Sequence, residues 1–238
     1  MKNILKKSDL SISPELGIYS NLYKDIYFDK KHGIKETQHN FIKANNLASR
    51  FKKSDKFIIS ELGFGTGLSF LMTLKLWKET KKPNAKLIYI SFESAPLTKI
   101  ELNNVYKKVS GVKILFNQLI KKLPILYQST HRIFFDSENV ELILIYDDFN
   151  SLKNFKFKAD AWFLDGFAPK KNKSAWNSKL FEQIYLSTKF KGTFSTFTSA
   201  GHVRRGLSNS GFSVSKVVGF GNKKESLIGI KKPLSIKV

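Results

Sequence analysis

At 238 residues the sequence has room for one sizeable domain and none for a second catalytic one, and its 41 Lys and Arg against 19 Asp and Glu leave a net charge of +22. That charge points to a polyanionic partner, nucleic acid foremost, although 37 of the 41 cations are lysines, a bias that drift in base composition also produces. No cysteine occurs, which excludes disulfides, thiolate zinc sites, iron–sulfur clusters and cysteine nucleophiles. The four histidines, His32, His39, His131 and His202, share no ligand spacing, so no metal is expected.

The opening residues Met1-Lys2-Asn3-Ile4-Leu5-Lys6-Lys7 lack the apolar stretch of a signal peptide, and no run approaches bilayer-spanning length; a cytoplasmic protein without membrane contact is expected. Residues 1–50 read as a lead-in packed on a main domain of residues 51–238, with a β-like Ile26-Tyr27-Phe28 and a helix over about 37–47. Strands and helices then alternate. A strand at 56–62 precedes a helix at 66–80, with Phe70, Leu71, Leu74 and Trp77 at helical spacing and Thr66 as its cap. A strand at 86–92 and a helix at 96–108 follow. Two apolar runs within 131–146 predict a hairpin feeding a central strand, before a strand at 160–165 and a helix at 174–189. Strands at 213–219 and 225–231, joined by Gly219-Phe220-Gly221-Asn222, predict a hairpin closing one edge. Alternation implies a parallel sheet with crossover helices. With an antiparallel C-terminal edge strand, the α/β pattern is that of the Rossmann-like S-adenosylmethionine-dependent methyltransferase fold.

The chemistry is read just past each strand, where such sheets bind ligands. Glu61-Leu62-Gly63-Phe64-Gly65-Thr66-Gly67 places a glycine at every second position, so the backbone can approach a ligand that a Cβ would push away. A dinucleotide fold shows Gly-x-Gly-x-x-Gly for pyrophosphate, whereas this spacing suits S-adenosylmethionine; a tight turn without ligand is the bland alternative. Glu93 follows the second strand, at the position that accepts hydrogen bonds from ribose hydroxyls. Asp147 and Asp148 follow the next, at the adenine end. Asp165 ends a wholly apolar strand beside the expected methyl group and is the catalytic candidate. Phe167 and Trp176 either stack on an extruded base or serve as core aromatics. Arg204 and Arg205, two of only four arginines, begin a helix on the substrate side, where one is expected on an RNA phosphate and the other on a carboxylate of the fold.

Residues 61–67, Ser91-Phe92-Glu93, Asp160-Ala161-Trp162-Phe163-Leu164-Asp165-Gly166-Phe167-Ala168-Pro169, Thr196-Phe197-Thr198-Ser199-Ala200-Gly201, Val203-Arg204-Arg205-Gly206-Leu207 and Gly219-Phe220-Gly221 together resemble one family. It is the methyltransferase domain of the bifunctional tRNA 5-methylaminomethyl-2-thiouridine biosynthesis proteins, the MnmC family, and the likeness runs from about residue 25 to 230. The family often fuses this domain to a flavin-dependent oxidase, for which this sequence has no counterpart, so it resembles the stand-alone form. The resemblance implies methyl transfer from S-adenosylmethionine to the exocyclic amine of 5-aminomethyl(-2-thio)uridine at the tRNA wobble position, giving 5-methylaminomethyl(-2-thio)uridine. It further implies a tRNA anticodon stem-loop as partner and separate enzymes supplying the aminomethyl precursor. A methyltransferase acting on another RNA, protein or small amine, and a non-enzymatic RNA-binding module, are the alternatives.

Overall fold

The computed structural model describes residues 5–13, 17–28, 31–107, 109 and 111–232, with Ser174 as backbone only; the segment Met1-Lys2-Asn3-Ile4 and the end of the helix expected to reach residue 108 lie outside them. The lead-in is more structured than its sequence suggests. Strands β1 (Leu10–Ser13), β2 (Gly17–Ser20) and β3 (Asp25–Phe28) pair antiparallel as a separate small sheet, of which only β3 was expected. The helix expected at 37–47 begins earlier: α1 (Gly33–Thr37) runs straight into a π-helical stretch, Gln38–Lys43. Asn46, at φ +50°, breaks it before α2 (Leu47–Phe51).

From there the expected alternation holds. Strand β4 (Lys56–Leu62) leads into α3 (Leu68–Thr80), and β5 (Lys86–Glu93) into α4 (Lys99–Tyr106). Helix α4 is shorter than expected because Thr98 and Glu101 form a reciprocal capping box that fixes its start. A second helix, α5 (Lys113–Lys122), buries Leu115, Phe116 and Leu119. Then come β6 (Ser129–Phe135), β7 (Val140–Tyr146), a 3-10 turn at Phe149–Asn154, and β8 (Ala159–Leu164). The helix expected at 174–189 is a 3-10 turn, Lys173–Ala175, followed by α6 (Ser178–Leu186); it stops there because Thr188 already opens β9 (Thr188–Thr196). Last come α7 (Gly201–Asn209), β10 (Phe212–Val218) and β11 (Glu225–Lys231).

Among the described residues eight strands form the main sheet, in the order β10-β11-β9-β8-β4-β5-β7-β6. The inner pairs β9·β8, β8·β4, β4·β5 and β5·β7 are parallel, whereas β6 and β11 run against their neighbours. Two details differ from expectation. The 131–146 hairpin delivers β7 next to the edge instead of to the centre, because β6 takes the edge itself. Strand β11, the reversed one, inserts between β9 and β10, so it lies one place inside the rim.

Alternating side chains load the two faces of the sheet. Phe57, Ile59, Tyr89 and Phe163 pack with Trp77 of α3 and Leu119 of α5 in one core. Ile90, Phe92 and Trp162 pack with Phe181 of α6 and Leu207 of α7 in the other. The chain climbs outward from β4 through β5 to β7, then returns to the opposite side of β4 as β8. That reversal puts the loops after β4 and β8 side by side at a topological switch point, where such sheets open a crevice.

Candidate active site

The glycine loop fills that crevice. Gly63, Gly65 and Gly67 have φ of +89°, +51° and +79°, a left-handed backbone that glycine adopts without steric cost. Each also stands where no Cβ fits comfortably. A Cβ would lie 2.8 Å from the Asp165 carbonyl oxygen at Gly63, 3.2 Å from the Tyr27 ring at Gly65 and 2.9 Å from the Phe64 ring at Gly67. Thr66 does not cap α3: Gly67 occupies the cap position without a side-chain bond, and Thr66 is buried with its carbonyl accepting the Tyr106 hydroxyl at 3.1 Å.

One buried carboxyl, Glu93, anchors the loop, and a second, Glu61, lies in β4 just before it. Glu93 accepts the Gly65 N–H on one oxygen and the Ala95 N–H on the other, both at 2.8 Å. Burial raises its pKa, and the backbone N–H groups draw it back. Glu61 accepts the Ser91 hydroxyl at 2.7 Å, while its other oxygen is buried with no partner among the described residues. Burial, and after it the Asp165 charge, pushes the Glu61 carboxyl well above the usual range. Neither Glu61 nor Gly67, both expected at the ligand, lines the cleft; Glu61 lies buried at the end of β4.

The cleft above holds about 630 Å³ of empty space, its open mouth included. Gly63 to Thr66, Glu93 and Asp165 line it, together with Ser69, Phe149, Phe167 and five residues of the lead-in, Tyr23 and Tyr27 among them. Asp165 is half-buried with the Ser69 hydroxyl 3.4 Å from one oxygen. Its carboxyl is raised from 3.8 to about 7, first by burial and next by the Glu36 carboxylate, against which Ser69, the Gly166 N–H and Lys223 act.

The remaining expected residues divide. Phe167 lines the cleft, stacked on Tyr23 with centroids 4.4 Å apart and edge-on to Tyr27 at 5.1 Å. Trp176 is buried in the core and does not line the cleft; its indole N–H donates to the Phe167 carbonyl at 2.9 Å, holding that loop from behind. Asp147 and Asp148 stand beside the cleft, not on its wall, which Phe149 provides. Asp147 accepts the Gln128 amide at 3.1 Å and the Asp148 N–H at 2.8 Å, and Asp148 caps the following 3-10 turn through the Asn150 N–H. Arg204 and Arg205 lie on exposed positions of α7, and among the described residues neither pairs with a carboxylate, so the fold partner expected for one of them is not there.

Sequence reasoning missed the lead-in's part in the site. Asp25 accepts the Ala168 N–H at 2.9 Å and pairs with Lys171 at 3.3 Å, stapling β3 to the loop that follows Asp165. The Tyr23 hydroxyl meets the Ser94 hydroxyl at 3.3 Å, and Glu36 pairs with Lys223 at 2.9 Å. An aromatic pair at positions 23 and 27 was visible, but nothing in the sequence aimed it at residues 165–168.

A family model described as S-adenosyl-L-methionine-dependent methyltransferase matches residues 110–232. The tRNA 5-methylaminomethyl-2-thiouridine biosynthesis bifunctional protein MnmC of Marinomonas sp. is 41% identical over 231 residues, 94% of this chain and 34% of its own length. Its namesake from Hahella chejuensis is 39% identical over 230 residues, 95% of this chain and 37% of its own length. The chain therefore spans about a third of the length of these relatives. In fold it is similar to the solved structure of MNMC2 from Aquifex Aeolicus, with a TM-score of 0.75 and 23% identity, covering 94% of this chain and 70% of that one. The matched segment contains six of the eight main-sheet strands, β6 to β11, on both flanks of β4 and β5, together with Asp165 and α7, and the chain belongs to the S-adenosyl-L-methionine-dependent methyltransferase family.

Proposed function

We propose that this chain methylates the exocyclic primary amine of 5-aminomethyl(-2-thio)uridine at the wobble position of tRNA, yielding 5-methylaminomethyl(-2-thio)uridine. The observation that carries the reading is the identity of about 40% to proteins bearing the MnmC name along nearly the whole chain. Residues 51–238 are the methyltransferase domain in this reading, residues 1–50 a lead-in that roofs its cleft, and the protein works in the cytoplasm on a precursor made by other enzymes. No helix among the described residues is long and apolar enough to cross a membrane.

The cradle of Gly63, Gly65 and Gly67, with Glu61 and Glu93 beneath it, fits S-adenosylmethionine, which when bound supplies an electrophilic methyl group on a sulfonium. Phe167, backed by Tyr23, offers the aromatic wall for the uracil ring. Asp165 then orients the amine and takes its proton. An aspartate at its usual pKa faces a lysine-like ammonium across roughly 6.5 units, about 9 kcal/mol uphill. At about 7 the gap for Asp165 shrinks to roughly 3 units, about 5 kcal/mol, which a rate-limiting step can accommodate. Holding amine and methyl group in line supplies most of the remaining acceleration.

The test is mass spectrometry of tRNA nucleosides after incubation of aminomethyl-bearing tRNA with S-adenosylmethionine and the protein. Appearance of 5-methylaminomethyl(-2-thio)uridine is the expected result. Methylation of another nucleoside, of protein or of free amines, with the wobble uridine untouched, would overturn the reading.

A further inference from the structure

The carboxyl edge of the sheet, where the cleft opens, is electrically lopsided. Behind β5 the stretch 94–98 contains no cation before Lys99 opens α4, and behind β7 the stretch 147–154 sets Asp147 and Asp148 against Lys153. Behind β8 the loop carries exposed Lys170, Lys171 and Lys173. Behind β9 the start of α7 carries exposed Arg204 and Arg205, and the turn from β10 to β11 carries exposed Lys223 and Lys224. These three stretches, 165–173, 197–205 and 219–224, hold seven cations in 24 residues with Asp165 as their one acid, against 41 cations in 238 for the chain.

The fold uses only part of this charge. Lys171 is held by Asp25 and Lys223 by Glu36. Lys170, Lys173, Arg204, Arg205 and Lys224 have no ion-pair partner among the described residues. The arginines sharpen the contrast. Arg50 donates to Thr193 and to the Asp160 carbonyl, both at 2.7 Å, and Arg132 to Glu141 at 2.6 Å, so both serve the fold. Arg204 and Arg205 sit instead in the opening turns of α7, where the helix dipole disfavours cations and no acid offsets them. The head of Arg205 folds back to within 3.1 Å of the Cβ position of Gly201, toward the carboxyl edge of β9. Cations placed against a local electrostatic cost, and unpartnered, point to an anion from outside.

We infer that the RNA phosphate backbone crosses the β8–β9–β10 side of the cleft mouth, over Lys170, Arg204, Arg205 and Lys224, and leaves the β5–β7 side uncovered. The inference rests on the tRNA reading above and adds to it a direction of approach. A nucleotide whose backbone runs there presents its base to Asp165 and Phe167 across the loop after β8.

Two triple variants remove equal charge. Lys170→Gln with Arg204→Gln and Lys224→Gln strips the proposed track. Lys52→Gln with Lys53→Gln and Lys56→Gln strips three exposed lysines around the amino end of β4, at the opposite rim. Affinity for unfractionated tRNA is measured across a salt series, with thermal melts to show that each variant is folded. The track variant should bind at least tenfold more weakly than the parent at moderate salt and flatten the plot of log affinity against log salt by about 2, from about 0.7–0.9 per lost phosphate contact. The rim variant should keep the parent's slope. Equal losses in the two variants, or none in the track variant, overturn the track while leaving the tRNA reading intact. Equally track-dependent binding of polyglutamate overturns it in favour of a general polyanion site. A parent that neither binds tRNA nor forms the methylated nucleoside overturns both.

Discussion

The main-chain carbonyl of Asp165 presses against Gly63, where a Cβ would stand 2.8 Å from its oxygen. The glycine loop and the loop after β8 are thus packed backbone to backbone, and a side chain at one displaces the other. Gly63→Ala should cost about 1–3 kcal/mol of stability through its φ of +89° and lower both donor affinity and turnover. At Gly65 the obstacle is only the Tyr27 ring, at 3.2 Å, so Gly65→Val should abolish S-adenosylmethionine binding while unfolding stays cooperative. Calorimetry and thermal melts separate the two, and unchanged donor affinity in both would remove these glycines from the donor site.

Glu93 spends its two oxygens on the Gly65 and Ala95 N–H groups. Glu93→Ala should therefore weaken the donor by roughly 1.5–3 kcal/mol through a slackened loop, and it should lower the melting temperature even without ligand. A variant with full apo stability but lost affinity would mean that Glu93 touches the ligand alone and has no part in the loop.

Asp165→Asn should cut turnover by orders of magnitude with donor affinity held within a few-fold. Its pH signature has a definite sign. With a folded pKa of about 7 against 3.8, the carboxyl keeps its proton longer in the folded state, so the native state gains relative stability below pH 4 and loses it as pH rises to 7. Asp165→Asn should accordingly melt like the parent near pH 4 and be more stable above pH 7, by up to about 4 kcal/mol. Parallel melting curves at both pH values would contradict the raised pKa.

Asp25→Ala removes the acceptor of the Ala168 N–H and the partner of Lys171. The expected cost is about 1–3 kcal/mol, with slower turnover because the loop after Asp165 loses its staple. Asp25→Asn, which keeps one acceptor, should fall between parent and alanine variant. An Asp25→Ala enzyme with parental stability and rate would show that the lead-in is dispensable.

What the sequence made legible follows from where local signals suffice. Phe57 to Leu62, the alternate glycines, and Phe70, Leu71, Leu74 and Trp77 declare a strand, a loop and a helix through spacing alone. Asp165 stood out as an acid ending an apolar strand. The Leu115, Phe116 and Leu119 stripe of α5 was present but short. Strands β1 and β2 were hidden because each has only four residues, and Leu10, Ile12 and Ile18 find their apolar partners in a core built mostly from residues far along the chain. Spacing also could not tell which way side chains turn beyond a strand, so Phe149, and not its acidic neighbours, faces the cleft, and Trp176 holds Phe167 from behind in place of a base.

The bonds that roof the cleft join residues far apart in the chain: 143 positions separate Asp25 from Ala168 and 187 separate Glu36 from Lys223. Closing loops of that length costs entropy before any contact repays it, and such contacts form slowly. Refolding should thus proceed in two stages, with indole fluorescence from Trp77 and Trp162 recovering as the sheet forms and donor binding returning later, when the first-made and last-made parts of the fold meet. During synthesis Asp25 must wait for Ala168 and Glu36 for Lys223, so binding competence should be among the last properties the protein acquires.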